Sequence, residues 1–320
     1  MLLSLLLLSL LCLILLPSAG SFPLLATSPR PPSPLRAVDP PLVDLAAPLF
    51  DESLSKALAS SLSASKASVA QVSLLMWTRT VLNYQYTTGL PFLESLNTLY
   101  SAGGLRRLYS GLPFALIQVP TSRFCDVLSN DLALLLFPPD LPLPLKSFAG
   151  SSLAACCRLV LTPVDTVKTT MQVKGNSALS ELLSPPSLPR LYRGGLGNAL
   201  ASIVGHFPFF LTYNYCTSLI PPTALSPADA DGLFLFLLYR GLAGVTASAV
   251  SDSASNTLRV LKTYRQTSDE DVSYAEALAK LAAEEGGLLG VATRGLGTRV
   301  GINAVQSGLF SIGWKYLQMR

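Results

Sequence analysis

Long apolar segments alternate with shorter polar stretches from about residue 53 to the end of the chain. Each apolar segment is long enough for the roughly 20 residues with which an α-helix crosses a bilayer. The pattern therefore predicts an all-α membrane protein with six transmembrane helices in three pairs. We place these helices at about 53–83, 111–136, 143–173, 195–219, 232–264 and 296–318.

Polar stretches follow the first, third and fifth predicted helices, at 84–107, 174–190 and 266–290. Each of them has room for a short helix at the membrane surface. In the third stretch, apolar residues after Ser273 recur at helical spacing, and Glu276 and Lys280 stand four residues apart, where opposite charges attract on a helix. We therefore predict an amphipathic surface helix there, held by a Glu276–Lys280 pair.

The composition also indicates a membrane protein. Half of the 320 residues are hydrophobic, 13% are charged and the mean hydropathy is +0.46, whereas soluble domains carry about a quarter charged residues. The formal net charge of +4 is too small to suggest a nucleic-acid partner. The basic residues fall near segment ends, where they suit anionic lipid headgroups.

The sequence offers no pattern typical of an enzyme or of a cofactor site. It has no Ser-His-Asp order, no metal-ligand spacing, no glycine-rich phosphate loop and no carboxylate pair placed for acid–base work. The five cysteines include no C-x-x-C, and Cys156 and Cys157 are adjacent, which favours small packing residues over a disulfide or metal framework. We therefore predict no enzymatic activity, no metal and no cofactor.

The first fifty residues read as a leader rather than as part of the fold. Residues 1–21 combine an apolar run with the small-residue stretch P-S-A-G-S-F-P, which predicts a signal peptide. Residues 22–50 are rich in Pro, Ser and Ala, which is typical of a transit-like or linker segment. The alternatives are a spurious upstream extension and a lone secretory signal. We expect the mature protein to begin after Gly20, which N-terminal sequencing would check.

A polar motif ends the third apolar segment. Pro163 is followed by Asp165, Lys168 and Gln172 at +2, +5 and +9. Charges are costly in a hydrophobic helix, so by default they face a bundle interior or a water-filled cavity and pair there. The alternative interpretation is an ordinary surface ion pair after a proline.

The motif has two degenerate copies, whose bases lie 89 residues before and 91 residues after Lys168 (79 to 168 and 168 to 259). In the first copy, Met76, Arg79 and Asn83 match Asp165, Lys168 and Gln172 in that order. In the third copy, Asn256 matches the acid and Arg259 matches the base. Because each copy keeps a base, we interpret all three as versions of one repeated element.

A second signature follows each copy and opens another apolar segment. Its three versions are Leu108-Tyr109-Ser110-Gly111, Leu191-Tyr192-Arg193-Gly194 and Ala292-Thr293-Arg294-Gly295. Two signatures that recur three times in the same order indicate a triplicated unit. We therefore predict three repeats at 51–138, 139–225 and 226–320.

On these motifs the chain resembles the mitochondrial carrier family, from about residue 53 onward. The resemblance implies three pseudosymmetric helix pairs around a central cavity, alternating access, a small-molecule solute as partner and a monomer. It also implies the mitochondrial inner membrane as the location. The plastid envelope is the alternative, because the bipartite leader is similar to those of algae whose plastids have extra membranes. The implied lipid partner is cardiolipin, at the helix starts Tyr192-Arg193-Gly194 and Thr293-Arg294-Gly295.

The resemblance further implies a matrix-side gate in which the acid of one odd-numbered helix pairs with the base of the next. Carried over to this sequence, Asp165 would meet Arg259, whereas Lys168 would face Met76 and Arg79 would face Asn256. Gln172 would lie beside this ring. The surplus of bases predicts an electropositive cavity that favours an anionic solute. The alternative is that the bases bind lipid phosphate or backbone carbonyls.

The gate on the opposite side is weaker still. Of its implied acids only Asp131 is retained, and Lys315 stands where another acid belongs, so we expect these two residues to pair. Such a gate indicates either easy opening or a protein that no longer cycles.

Substrate contacts in the family lie near the cavity midpoint on the even-numbered helices. The matching positions are Gln118, Ala201, Ser202, Ile302 and Asn303, with Arg299 one turn away. The amide and hydroxyl groups of Gln118, Ser202 and Asn303 suit a polar or zwitterionic small molecule. The alternative is that these residues only pack within the bundle.

Two functions therefore stay open. The first is an organellar solute carrier, and the second is a transport-inactive relative that serves as a membrane scaffold or insertion factor. His206, the single histidine, either titrates in the cavity or hydrogen-bonds to a neighbouring helix.

Overall fold

The computed structural model describes residues 41–138, 140–219 and 230–306, and this part of the chain is all-helical, without strands. Two compact units are distinguished, 1–55 and 56–320. Of the first unit the description covers 41–55, which form the start of a long helix. The helical prediction is therefore confirmed for the described residues.

The helices, in chain order, are α1 Pro41–Thr88, α2 Phe92–Ser101, α3 Gly104–Leu108, α4 Leu112–Leu136, α5 Leu143–Val160, α6 Thr162–Lys174, α7 Ala178–Leu182, α8 Gly195–Ser218, α9 Ala230–Thr267, α10 Tyr274–Glu284 and α11 Leu288–Thr293. A 3₁₀-helix spans Pro185–Tyr192, and a last helix, α12, is described over 296–306. The long helices coincide with the predicted segments, apart from their ends.

Helix α1 begins at Pro41, so residues 41–50, the end of the predicted transit-like or linker segment, are helical. Proline is favoured at the first position of a helix because its φ is preset and its missing N–H has no intrahelical partner there. The leucines and alanines that follow are good helix formers. The transit-like or linker role of 22–50 stays a prediction.

The predicted surface helix after Ser273 is confirmed as α10, which has a capping box. The Ser273 hydroxyl accepts from the Glu276 backbone N–H at 3.2 Å, and the Glu276 carboxylate accepts from the Ser273 N–H at 2.7 Å. The backbone hydrogen bond from Ser273 holds the pKa of Glu276 below its usual value. Lys280 makes its salt bridge with Glu270 at 2.8 Å, whereas Glu276 attracts it from a greater distance than the predicted pair implied.

The contacts between five of the helices form a cycle, in which each helix packs on two of the others. Helix α4 packs on α5 and α6, α5 on α8, α8 on α9, and α9 on α6. Helix α1 meets α4 through Val72, Met76 and Ala115. Polar side chains described below join α12 to both α9 and α1.

Helices α5 and α6 are two halves of one predicted segment, and they meet at an angle of 68°. The break lies at Leu161, two residues before Pro163, whose ring cannot be accommodated inside a straight helix. Tested for length and apolar composition within the described residues, no individual helix qualifies as a membrane span, whereas this bent pair does so jointly.

The three signature glycines stand at the starts of α4, α8 and α12. Gly111, Gly194 and Gly295 have φ values of +81°, +79° and +65°. Only glycine adopts this left-handed region without strain, so the same backbone turn is made three times by the same residue type. Each turn places the glycine in close contact with another helix. These contacts show, in the next subsection, which positions of the three repeats are equivalent.

Candidate functional site

The first polar cluster is centred on Asp165 of α6, whose side chain is 2% exposed. Its carboxylate accepts from Lys168 at 2.8 Å and from Lys262 of α9 at 2.5 Å. Gln266, one turn after Lys262, adds a hydrogen bond of 3.3 Å. A buried charge is tolerated when it is paired and hydrogen-bonded, and this cluster ties α6 to α9 in that way.

The predicted pairing of Asp165 with Arg259 is therefore wrong. Lys262 makes the ion pair, whereas the Nε of Arg259 donates to Ser255 at 3.3 Å. The two bases are three residues apart and share one face of α9, so the sequence alone did not separate them. The signal that we missed is Leu261-Lys262-Thr263, which repeats Val167-Lys168-Thr169.

The contacts of the signature glycines also indicate that Lys262, three residues after Arg259, is the position equivalent to Lys168. A Cβ on Gly111 would lie 3.1 Å from the carbonyl oxygen of Lys168, and one on Gly194 would lie 3.1 Å from that of Lys262. The corresponding neighbours of Gly295 are Leu82 and Tyr86. The positions equivalent to Lys168 are thus Leu82 and Lys262, three residues after the ones that we matched. Arg79 and Arg259 accordingly occupy the position of Asp165.

The other two expected contacts of the ring are also replaced. Met76, which we placed opposite Lys168, is buried among Val72 and Ala115. Asn256, which we placed opposite Arg79, accepts from the Tyr86 hydroxyl at 2.9 Å and donates to the backbone carbonyls of 292 and 294. These positions therefore contribute packing and helix–helix hydrogen bonds.

Lys168 and Gln172 instead bond to the neighbouring helices. Lys168 donates to Gln118 of α4 at 2.8 Å, and Gln172 accepts from Asn83 of α1 at 2.6 Å. The first cluster thus extends from α6 to three other helices.

A second polar cluster joins α1, α9 and α12. Asp252 pairs with Arg299 at 2.6 Å and accepts from Asn303. Arg79 donates to Asn303 at 2.7 Å and to Gln306. Sequence reasoning missed Asp252, although an acid within an apolar helix is by itself a signal of an interior site.

The predicted substrate residues separate into two groups. Gln118, Arg299 and Asn303 belong to the two polar clusters. Ala201, Ser202 and Ile302 are buried between helices, and the Ser202 hydroxyl donates to the carbonyl of residue 198 in its own helix at 2.7 Å.

A third cluster lies between α4 and α5, where Arg158 and Asp126 are 2.7 Å apart. Arg123 and His206 are within electrostatic range of this pair. We did not predict this cluster, because its residues form no motif, although all four are polar residues within apolar segments.

Basic groups outnumber acidic ones in these three clusters. The bases are Arg79, Arg123, Arg158, Lys168, Arg259, Lys262 and Arg299, and the acids are Asp126, Asp165 and Asp252. Each of the three acids is paired with a base. Within the part of the chain that the structure describes, these clusters thus hold more bases than acids, and Arg158, Lys168, Lys262 and Arg299 each pair with an acid.

The opposite gate is only partly covered by the structure. Asp131 accepts a hydrogen bond of 3.4 Å from Asn130, while Lys315 lies outside the described residues. Their pairing stays a prediction.

Three arginines that precede the signature glycines, Arg107, Arg193 and Arg294, bind backbone carbonyls at or just after the ends of other helices. We call them the arginine clasps. Arg107 donates to the carbonyls of Gln172 and Val173, the last turn of α6, at 2.9 and 2.5 Å. Arg294 donates to the carbonyl of Gln85, near the end of α1, at 3.3 Å. The guanidinium of Arg107 thus satisfies two carbonyls that lack an intrahelical partner, whereas the Gln85 carbonyl also accepts from the Gly89 N–H at 2.8 Å.

The third clasp is made by Arg193. It donates to the carbonyl of Glu270 and pairs with Asp271, just after α9. In the predicted repeat scheme, each clasp starts in one repeat and ends in the next, so together they close a ring. From the sequence we had predicted Arg193 and Arg294 to contact lipid, and we did not predict their hydrogen bonds to backbone carbonyls.

We expect Arg107→Ala to lower the free energy of unfolding by about 1.5–3 kcal/mol, because hydrogen bonds to a charged group are lost. Arg106→Ala is the matched control, since Arg106 is the exposed neighbour and its removal should change stability by less than about 0.5 kcal/mol. Thermal unfolding of the purified protein in detergent measures both. Equal effects of the two substitutions would contradict the clasp.

No family model matches the chain. Half of the chain (50%) aligns, over 173 positions and at 30% identity, with a Dictyostelium discoideum protein described as mitochondrial substrate carrier family protein X. The alignment covers 54% of that protein, so the chain spans about half the length of the curated relative that it matches. This similarity, together with the all-helical structure, supports the resemblance that the motifs indicated.

Proposed function

We propose that this protein is an organellar solute carrier that moves a small anionic or zwitterionic metabolite across an inner membrane by alternating access. In this proposal the long helices form six spans in three repeats around a central cavity, and the membrane is the mitochondrial inner membrane or the plastid envelope. The relative described as a mitochondrial substrate carrier family protein and the threefold glycine turns support it.

The observation that carries the proposed solute charge is the excess of bases in the polar clusters. Arg259 is the clearest case, because its neighbours in electrostatic range include Arg158 and Arg299 as well as Asp252. Like charges held together in a low-dielectric site raise the local potential and concentrate an oppositely charged solute. A cation would meet repulsion from the same groups.

The second cluster supports a zwitterion as well as an anion. Asp252 and Arg79 approach the same amide side chain, Asn303, from α9 and α1. A solute with a carboxylate and an ammonium group would match this pair, the carboxylate at Arg79 and the ammonium at Asp252. Asn303 would then be displaced from one of its present partners.

The first cluster and the arginine clasps are the proposed lock of the matrix-side gate. Asp165 ties α6 to α9, and the clasps bind the ends of α6 and α1 and the segment after α9. Opening this side would require both sets of bonds to break. The clasps would thus compensate for the ring positions that lack an acid.

An anionic lipid is the proposed second partner. A cavity of about 430 Å³ is lined by Tyr192, Arg193 and Arg265, with Pro189, Arg190 and Asp271 completing its wall. Arg193 and Arg265 share the carboxylate of Asp271, and Arg190 pairs with Glu181, so one positive charge is left over. Such an excess suits a lipid phosphate, of which cardiolipin carries two.

The test is uptake by the protein reconstituted in liposomes. We expect accumulation of a small anion or an amino-acid-like solute and none of a cationic metabolite, and we expect Asn303→Ala to weaken solute binding roughly tenfold, the effect of about one hydrogen bond to a charged group. Asn97→Ala, which changes an exposed amide on α2, is the control. Selective uptake of a cation, with Asn303→Ala silent, would contradict the proposed site.

The alternative function is a transport-inactive membrane scaffold or insertion factor. It is favoured by the ring positions, because Arg79 and Arg259 stand where the repeat has its acid in Asp165. Absence of uptake and of ligand-induced thermal stabilisation across a metabolite library would support this alternative.

A further inference from the structure

The hydroxyl of Tyr86 lies between the second polar cluster and the Arg294 clasp. Tyr86 belongs to the last turn of α1 and is 2% exposed. Its hydroxyl accepts from Nη1 of Arg299 at 3.3 Å and donates to Oδ1 of Asn256 at 2.9 Å. A hydroxyl has one proton to donate and lone pairs that accept, so both bonds form at the same time. This single oxygen therefore joins three helices, α1, α9 and α12.

The first neighbour of the hydroxyl, Arg299, belongs to the proposed solute site. Its Nε pairs with Asp252 at 2.6 Å, and Asp252 also accepts from Asn303. Arg299 thus divides its guanidinium between the acid of that site and the hydroxyl of Tyr86. Because Arg299 is buried, both contacts are made away from water, where hydrogen bonds are stronger.

The second neighbour, Asn256, holds the segment that ends at the start of α12. Its Nδ2 donates to the backbone carbonyls of Ala292 at 2.9 Å and of Arg294 at 3.0 Å. The Arg294 side chain in turn donates to the carbonyl of Gln85, which also accepts from the N–H of Gly89. The segment is therefore tied to α9 by Asn256 and to the end of α1 by Arg294.

The ring of Tyr86 fixes the position of its hydroxyl. A Cβ on Gly295 would lie 2.9 Å from Cε1 of the ring, so the glycine turn packs directly on it. The ring also belongs to the hydrophobic cluster that contains Leu82, Val260 and Leu261. A ring held on these sides cannot swing to a new partner, so the hydroxyl depends on the two partners that it has.

We propose that Tyr86 is a positioning residue that transmits anion binding at Arg299 to the Arg294 clasp. A hydroxyl that accepts from a charged guanidinium is polarised and donates more strongly, because linked hydrogen bonds reinforce one another. An anionic group that binds Arg299 competes for the same guanidinium. The bond from Tyr86 to Asn256 then weakens, and the start of α12 loosens from α9 and from the end of α1.

Solute binding would in this way release one part of the proposed matrix-side lock. The role of the solute rests on the proposed function, whereas the coupling between Arg299 and the clasp does not. The coupling can therefore be measured without a known solute.

Hydrogen–deuterium exchange of the full-length protein in detergent tests this coupling. Tyr86→Phe removes only the hydroxyl, and Arg299→Gln removes the charge that a bound anion would neutralise. We expect each variant to raise amide exchange about fivefold in residues 85–89 and 292–297, the effect of about one net hydrogen bond. In the Arg299→Gln background, Tyr86→Phe should add little, because both changes act on one chain of bonds.

Two controls show whether the effect is local. Tyr264→Phe is the matched variant, because Tyr264 packs against the same hydrophobic cluster and its hydroxyl makes no hydrogen bond within the described residues. Exchange in residues 171–175, at the end of α6, is the internal control, because Arg107 binds there. We expect wild-type exchange in both segments for Tyr264→Phe, and in 171–175 for Tyr86→Phe.

Three outcomes would overturn the proposal. These are wild-type exchange in both segments of Tyr86→Phe, fully additive effects of the two substitutions, and a rise in Tyr86→Phe that is equally large in 171–175. Tyr86→Phe keeps the ring under Gly295 and gives the first and third answers alone, so they do not depend on how well Arg299→Gln folds. Absence of uptake in liposomes would contradict the proposed carrier and would leave the measured coupling in place.

Discussion

Replacing Asp165 by alanine is expected to lower the free energy of unfolding by about 3–5 kcal/mol, because the change leaves Lys168 and Lys262 as buried charges without their shared partner. Thermal unfolding of the purified protein in detergent measures the loss. The transport activity that we propose should be lost in the same variant in liposomes, since the tie between α6 and α9 is gone. Asp165→Asn should show the same direction with a smaller effect, because the amide keeps part of the hydrogen bonding.

The matched control is Asp269→Asn, which removes an exposed partner of Lys174. Exposed salt bridges contribute only about 0–1 kcal/mol, so this variant should behave like wild type. Adding Lys262→Met to Asp165→Ala should recover part of the lost stability, because one of the uncompensated charges disappears. If Asp165→Ala unfolds at the wild-type temperature, the cluster does not hold α6 to α9.

Replacing Gly111 by alanine is expected to cost about 2–5 kcal/mol of unfolding free energy, from two sources that add. An L residue in the left-handed region costs about 1–2 kcal/mol, and forcing a methyl group into a filled space costs about 1–3 kcal/mol. At Gly111 the φ is +81°, and the new Cβ would lie 3.1 Å from the carbonyl oxygen of Lys168 and 3.3 Å from the Cβ of Met171. Backbone atoms cannot move aside as a flexible side chain can, so α4 would be pushed away from α6.

Gly104→Ala separates the two sources. Gly104 also has a positive φ, +59°, but a Cβ there would have nothing within 4 Å. Its replacement should therefore show the backbone cost alone. Chemical or thermal unfolding of both variants gives the difference, and equal losses would show that the contact between the glycine turn and α6 is not close-packed.

The sequence by itself determined the helices and their polar content. Apolar segments of membrane-spanning length are a local property, so α4 and α8 appear where predicted, and the break before Pro163 follows from the shape of proline. The capping box at Ser273 is local for the same reason. The excess of bases needs only the count of charged residues in apolar segments.

Only the tertiary structure decided which of these residues meet. A shift of three residues keeps a side chain on the same helix face, so sequence periodicity did not distinguish Arg259 from Lys262 as the partner of Asp165. The carbonyls bound by Arg107 carry no sequence signal, because every residue type has one. Contacts between helices depend on their axial offset and on how closely their backbones approach, and these quantities exist only once the bundle is packed.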